Sequence, residues 1–426
     1  MKEDTTIENQ VRTLGEKALK ASRAISTLST AKKNAVLETL ASLIETRSAS
    51  LKAVNEKDLD AGEASGLSKA MLDRLALTDA RIRGMAEGIR QVAALPDPVG
   101  VDLSHYDHGQ GFRITKRRVP IGVIGIIYES RPNVTIDCAA LCLKSGNASI
   151  LRGGKEAFHS NTALAALVQE ALRAHGVTED AVIFIPTTDR AATLALLKMD
   201  DYVHCLIPRG GEGLIRFVAE HARMPVIKHY DGVCNIFVDS EADLTMATEI
   251  VVNAKCQRPG VCNSAENLIV EGRSLQSHLI PIAQALREHG VELRADERAK
   301  AALTAAGIAV VAATEADFKT EYLDLILSIK TVDSLDEAID FIHTYGSGHS
   351  DAIVTSNAKT AAQFQGLVDS ATVYWNVSTR FTDGFEFGLG AEIGISTDRL
   401  HARGPVGLEE LTSYKYVITG NGEIRA

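Results

Sequence analysis

One segment of the 426-residue chain gathers groups that do covalent chemistry. It runs Asn253-Ala254-Lys255-Cys256-Gln257-Arg258-Pro259-Gly260-Val261-Cys262-Asn263-Ser264-Ala265-Glu266, and the apolar run Asn267-Leu268-Ile269-Val270 follows at once. A Pro-Gly turn between a helical pattern and an apolar strand sets Cys262 on a tight bend. Backbone N–H groups beside such a thiol can stabilise a thiolate, and also the oxyanion formed when it attacks a carbonyl carbon. On these residues alone two readings stand: a nucleophile, or a small buried packing residue, the usual fate of a cysteine. Cys256, near the expected helix end, is the weaker candidate for the first.

Two glycine-rich loops follow apolar runs. Ile207-Pro208-Arg209-Gly210-Gly211-Glu212-Gly213 opens a helix, and Ile150-Leu151-Arg152-Gly153-Gly154-Lys155 ends a strand. Glycine at a strand-to-helix junction lets N–H groups approach a phosphate at the positive helix end. Neither loop spells G-x-G-x-x-G, and a plain tight turn explains the glycines equally well. A third polar cluster, Tyr128-Glu129-Ser130-Arg131-Pro132-Asn133, closes the run Val-Ile-Gly-Ile-Ile; Arg131 is suited to an anion and Asn133 to an oxyanion, or the cluster simply caps the next helix. The histidines, His159, His204, His349 and His401 among them, show no ligand spacing, so no metal site is expected.

The elements that must position these groups alternate. The first hundred residues read as helices, with Val36, Leu37, Leu40, Leu43 and Ile44 at helical spacing behind Ser29 and Thr30 as caps, and a second helical stretch stopping at Leu95-Pro96. From Val119 onward come short apolar runs: PIGVIGIIY, ASILRGG, AVIFIP, VHCLIP, PVIKH and NIFVD, then ENLIVE, GIAVVAA, LDLILSIKTV, SDAIVT and ATVYWNV. Continuous apolar strands separated by helices specify parallel sheets covered on both faces, here in two α/β blocks that divide near residues 235–262. Residues 101–118 and 413–420 are β pieces outside both blocks, of the kind that completes a neighbouring subunit's sheet. The triplet Lys116-Arg117-Arg118 reads as a solvated strand edge.

Forty-five Lys and Arg against fifty-five Asp and Glu leave a net charge of −10, which argues against nucleic acid as the main partner. No apolar run approaches the roughly 18 residues that span a bilayer, and the polar start MKEDTTIENQ is no secretory leader, so the expectation is a cytoplasmic protein. Six cysteines, Cys138, Cys142, Cys205, Cys234, Cys256 and Cys262, are too sparse for a disulfide scaffold and contain no C-x2-C pair.

The strand opening PIGVIGII, the run NASILRGGKEA, the cysteine turn and the late stretch DGFEFGLGAEIGIS together resemble the aldehyde dehydrogenase superfamily, from about residue 7 to the C-terminus. Within it, YESRPNVT, QRPGVCNSAENLIV, IPRGGEGLI, HSDAIVT and LHARGPVGLEELTSYKYV resemble the branch that reduces an acyl phosphate. The resemblance implies an aldehyde dehydrogenase-like fold of two parallel-sheet domains plus a small β oligomerisation element. Residues 1–103 and 119–234 would bind NADPH, 235–395 would carry the catalytic cysteine, and 104–118 with 396–426 would join subunits of a homo-oligomer. The implied reaction is NADPH-dependent reduction of L-glutamyl 5-phosphate to L-glutamate 5-semialdehyde with phosphate release, in proline biosynthesis from glutamate. It would be linked to glutamate 5-kinase, which makes the substrate. Cys262 becomes the nucleophile, with Asn133 assisting at the oxyanion, and Arg131, Arg258 and Arg380 the cations for the substrate's phosphate and carboxylate.

Two departures from the wider superfamily matter. Oxidising members carry E-L-G-G-K, whose glutamate activates water; here His229 stands in its place, which suits an enzyme that must not hydrolyse its thioester. Where NAD-using members grip the adenosine ribose with a glutamate three residues after a lysine, this chain has Arg152 and Lys155, suited to a 2′-phosphate. Gly210 and Gly211 would take cofactor phosphate, and Glu321 the nicotinamide-side ribose. Rival readings are a phosphate-independent aldehyde dehydrogenase acting on a small aldehyde, and a nucleotide-binding protein that kept the fold and lost catalysis.

Overall fold

A computed structural model describes residues 2–425. They form two units: the chain up to Lys228 with Gly388–Gly394 and everything from Val406 on, and His229–Phe387 with Ile395–Pro405. Chain order supplies β1 (Asp102–Asp107), β2 (Arg113–Pro120), β3 (Val123–Tyr128), β4 (Ala148–Gly153), β5 (Val182–Phe184) and β6 (Cys205–Arg209) in the first unit. The second unit holds β7 (Cys234–Val238), β8 (Ala265–Glu271), β9 (Glu292–Ala295), β10 (Val311–Ala312), β11 (Ile326–Val332), β12 (Ser350–Val354), β13 (Thr372–Trp375), β14 (Ile395–Ser396) and β15 (Gly404–Pro405). The last strand, β16 (Thr412–Thr419), returns to the first unit.

In the first unit β5, β4, β3 and β6 pair in that order, all parallel. Parallel neighbours need crossovers, supplied by the helices Asn133–Lys144, Phe158–Ala174 and Arg190–Leu197. Every residue of β3, β4 and β5 is buried, so these strands read as unbroken apolar runs. The helix Thr30–Thr46 begins as its cap predicts: the Ser29 hydroxyl accepts the Lys32 N–H at 3.3 Å. It buries Val36, Leu37, Leu40 and Ile44.

The second unit is a seven-stranded parallel sheet in the order β10-β9-β11-β8-β7-β12-β13. Its strands β8, β7 and β12 are completely buried, and β8 begins directly after the cysteine turn.

The third sheet, in the first unit, is antiparallel: β1-β2-β16. Lys116-Arg117-Arg118 therefore lies on the central strand and not on an edge. Its charges are partnered, Arg117 with Asp102 at 2.6 Å, Arg118 with Glu409 at 2.8 Å, and Lys116 over the Tyr414 ring at 3.7 Å. Other expectations shift too. PVIKH is no strand, since Val226 makes a single bridge to Leu206, and GIAVVAA supplies only the two residues of β10. The strand β9, half-polar as Glu-Leu-Arg-Ala, escaped the apolar search. The units also change over at Lys228/His229, because β7 pairs with β8, and residues 396–405 belong to the second unit through the β14–β15 ribbon. Among the described residues no helix is long and apolar enough to cross a membrane, and no cluster of three metal-ligating side chains occurs.

Candidate active site

In the first unit, β3, β4 and β6 are parallel neighbours, so their C-terminal ends deliver three loops to one edge of the sheet. Two carboxylates lace these loops together. Glu129, just past β3, accepts the Gly211 N–H at 3.0 Å, at the start of the helix Glu212–His221. Glu156, past β4, accepts the Ser130 N–H at 3.1 Å. A side chain at Gly210 would put its Cβ 2.4 Å from the Glu129 carboxylate, so the carboxylate would have to move aside to admit one. Gly211 has open space where a Cβ would stand.

Lys155 is exposed on this edge, at the start of a short turn of helix. Arg152 is not. Its guanidinium is buried and bonds the backbone carbonyls of Gly153 and, at 3.1 Å, Thr188. The side chain that the sequence offers to a 2′-phosphate is thus spent on fixing the loops, because a buried cation must satisfy its donors locally. Burial also pulls its pKa down. Asn133 begins the helix Asn133–Lys144 and donates from Nδ2 to Asp137 at 2.9 Å, one of its two amide protons. Burial raises Asp137 to about 6, against the opposing pull of Asn133 and Arg209. Arg131 is exposed two residues before that helix.

In the second unit the helix Leu244–Cys256 ends at Cys256, and the turn through Gly260 places Cys262 three residues before β8. Both cysteines are partly exposed, whereas the other four are buried. The base of the turn is closed by Lys255 and Glu266, an ion pair of 2.7 Å with neither side chain exposed. Burial raises Glu266 to about 7, against Lys255, and Glu321 pushes the same way as burial. Glu321 thus lies in the electrostatic neighbourhood of this pair. The Ser264 hydroxyl adds a bond to the Ala254 carbonyl at 3.2 Å.

Above that base the turn is held residue by residue. Gly232 lies so close that an added Cβ would be 2.6 Å from the Cys262 Cα. The Cys234 thiol donates to the Cys262 carbonyl at 3.2 Å. Thr379 donates its hydroxyl to the Asn263 carbonyl at 2.7 Å, and Asn263 Nδ2 donates to the Thr382 carbonyl at 2.9 Å. Arg380, between those threonines, is partly buried and bonds Gln257 through Nε at 2.8 Å. Burial and the neighbouring Arg258 lower the Arg380 pKa, while Cys262 raises it, so two arginines and the thiol share one electrostatic neighbourhood. Arg258 is exposed.

His229 donates from Nδ1 to the Ile395 carbonyl at 2.8 Å, since a carbonyl oxygen only accepts; its neutral ring therefore carries the proton on that nitrogen. It meets His349 edge to face, centroids 5.8 Å apart. Gly232, Cys234, Asn263, Thr379 and Thr382 were not singled out by sequence. The glycine two positions before Cys234 and the asparagine directly after Cys262 were the available signals.

Two parallel-sheet α/β units, a small antiparallel sheet and a thiol bent between helix and strand define the class of protein: the chain belongs to the aldehyde dehydrogenase family, whose model matches residues 4–302. Within that class its relatives are specific. It is 57% identical over 417 residues to gamma-glutamyl phosphate reductase of Opitutus terrae, covering 98% of each chain. It is 54% identical to the enzyme of that name from Moorella thermoacetica, covering 98% of this chain and 99% of the other. The crystal structure of gamma-glutamyl phosphate reductase from Thermotoga maritima superposes with a TM-score of 0.95 at 45% identity, covering 98% of this chain and 100% of that one. An acetylating aldehyde dehydrogenase from Geobacillus thermoglucosidasius, 17% identical with a TM-score of 0.70 and 99% of each chain covered, shares the fold.

Proposed function

We propose that the chain reduces L-glutamyl 5-phosphate to L-glutamate 5-semialdehyde with NADPH, releasing phosphate, as the second step of proline biosynthesis from glutamate. The observation that carries the mechanism is the setting of Cys262: a partly exposed thiol on a turn pinned by Gly232, Cys234, Thr379 and Thr382, with Arg258 and Arg380 beside it. Cys262 as a thiolate attacks the acyl carbon of the substrate. The tetrahedral oxyanion is stabilised by N–H donors of the turn, with Asn133 as a further donor, and its collapse breaks the C–O bond to phosphate and leaves a thioester on Cys262. Arg258 and Arg380 answer the substrate's negative charge, and Arg131 is the third cation offered to it.

The residues of the first unit fit a nicotinamide cofactor. The N–H of Gly211 already holds a carboxylate, so the helix start accepts anionic oxygen, and Lys155 is an exposed cation on the same sheet edge. Lys155 would take the 2′-phosphate, the loop Gly210-Gly211 the pyrophosphate, and Glu321 in the second unit a ribose hydroxyl. When bound, the cofactor supplies the hydride that reduces the thioester carbon. Collapse of the reduced adduct breaks the C–S bond, releasing the aldehyde and returning the Cys262 thiolate. Where oxidising relatives carry a water-activating carboxylate this chain has His229, whose Nδ1 is held by the Ile395 carbonyl, and on this reading the acyl group exchanges with phosphate and not with water. The proposal extends to a cytoplasmic setting, to a glutamate 5-kinase as the source of substrate, and to a homo-oligomer joined through β1-β2-β16, which exposes Tyr106, Tyr416 and Ile418.

Substituting each thiol tests the assignment. Cys262→Ser removes turnover, because a serine hydroxyl does not ionise near pH 7, while Cys256→Ser keeps most of it. Turnover retained in Cys262→Ser overturns the nucleophile.

A further inference from the structure

Four of the six cysteines are buried, and one of them is not mere packing. We propose that Cys234 is a positioning residue for the reaction: its S–H···O=C bond to Cys262 sets the plane of the Cys262–Asn263 peptide and so aims the nucleophile and its N–H donors. The inference rests on the reading of Cys262 as nucleophile.

The geometry is specific. Cys234 opens β7 with no exposed surface, and its Sγ reaches the Cys262 carbonyl oxygen at 3.2 Å. A peptide is planar, and this one is trans, the single cis bond among the described residues lying at His401–Ala402. Fixing the carbonyl therefore fixes the Asn263 N–H, which lies in the same plane and points the opposite way. The next carbonyl, that of Asn263, is taken by Thr379 at 2.7 Å, so two consecutive peptide planes after the nucleophile are held by side chains.

Cys234 belongs to a connected polar floor. Its Sγ lies 3.7 Å from His349 Nδ1, which contacts the Ser350 hydroxyl at 2.9 Å. Ser350 meets the Thr382 hydroxyl at 2.7 Å, Tyr374 meets that hydroxyl at 2.8 Å, and the Thr382 carbonyl accepts Asn263 Nδ2. Every member of this floor is uncharged at neutral pH. Burial keeps the Cys234 thiol protonated by raising its pKa well above the usual value, and it drives His349 down to about 3. Only a protonated sulfur can donate, so the same burial that disfavours a thiolate preserves the bond. A donor lost at an oxyanion site costs roughly a hundredfold to a thousandfold in kcat, which bounds what misaiming the peptide can do.

The test compares Cys234→Ser, which keeps a donor, with Cys234→Ala, which removes it, alongside Cys262→Ser. The expected result is kcat within about threefold of wild type for Cys234→Ser and a loss of tenfold or more for Cys234→Ala, with KM for substrate unchanged in both and an unaltered thermal midpoint in Cys234→Ser. Wild-type kcat in Cys234→Ala overturns the proposal. Turnover in Cys262→Ser would instead overturn the nucleophile on which it rests, so the two failures are distinguishable. A second readout does not depend on Cys234→Ala folding. The infrared S–H stretching difference between wild type and Cys234→Ser should show a red-shifted, hydrogen-bonded thiol; a band at the position of a non-bonded thiol overturns the proposal.

Discussion

Gly232 offers the sharpest perturbation of the cysteine turn. A methyl group there would have its carbon 2.1 Å from the Cys262 carbonyl oxygen, 2.6 Å from its Cα and 2.7 Å from its carbonyl carbon, whereas ordinary contact starts at 3.4 Å. The shortfalls, 3.4 − 2.6 at Cα and 3.4 − 2.1 at the oxygen, mean that Gly232→Ala forces the Cys262 backbone back by about 1 Å. No flexible side-chain end can give way, because all three atoms are backbone. A displacement of that size at a reacting group costs on the order of a hundredfold in rate, while overpacking costs about 1–3 kcal/mol in stability. Steady-state kcat and KM, with a thermal melt on the same sample, separate the two effects. Gly232→Ala should fold, bind substrate with a similar KM and turn over roughly a hundredfold more slowly. A folded Gly232→Ala with kcat within threefold of wild type would refute the claim that this contact sets the nucleophile.

Other outcomes follow from the same geometry. Lys155→Glu should shift the NADPH-to-NADH ratio of kcat/KM toward NADH by roughly tenfold to a hundredfold, the worth of one charged hydrogen bond, and an unchanged ratio would remove Lys155 from the cofactor site. Arg152→Met should leave that ratio alone and lower stability by about 1–3 kcal/mol, since its guanidinium holds backbone carbonyls; a changed ratio with unchanged stability would reverse that assignment. His349 is buried with its pKa lowered from 6.5 to about 3, so the unfolded chain binds a proton that the native state refuses between those values. Its contribution is present above pH 6.5 and lost as pH falls toward 3. The stability gap between wild type and His349→Gln should therefore shrink by about 2 kcal/mol from pH 7 to pH 5, and a constant gap in urea titrations would show that His349 does not stay neutral.

Strands buried on both faces were plain in the sequence because burial makes them continuously apolar, as β3, β4, β7, β8 and β12 show. The half-polar β9 and the charged centre strand β2 hid from the same criterion, since their side chains answer to ion pairs and not to a core. Cys262 stood out because a Pro-Gly turn precedes it. Arg152 misled, because a cation beside a glycine loop reads the same whether it faces ligand or carbonyls; only the bonds to Gly153 and Thr188 decide. Cys234 and Thr382 act on the turn across 28 and 119 positions of sequence, and no local pattern encodes contacts made at such separations.

The fate of the acyl group on Cys262 separates a phosphate-releasing reductase from an aldehyde oxidiser. Enzyme incubated with glutamate 5-semialdehyde and NADP, with and without inorganic phosphate, reports that fate through NADPH absorbance. On the proposed reading, His229 replaces a water-activating carboxylate and does not take over its role, which withholds from hydrolysis general-base help worth roughly a hundredfold to ten-thousandfold. NADPH should stop at no more than one equivalent per active site without phosphate and form steadily once phosphate is added. Sustained NADPH formation without phosphate, with glutamate as product, would contradict the reductase mechanism.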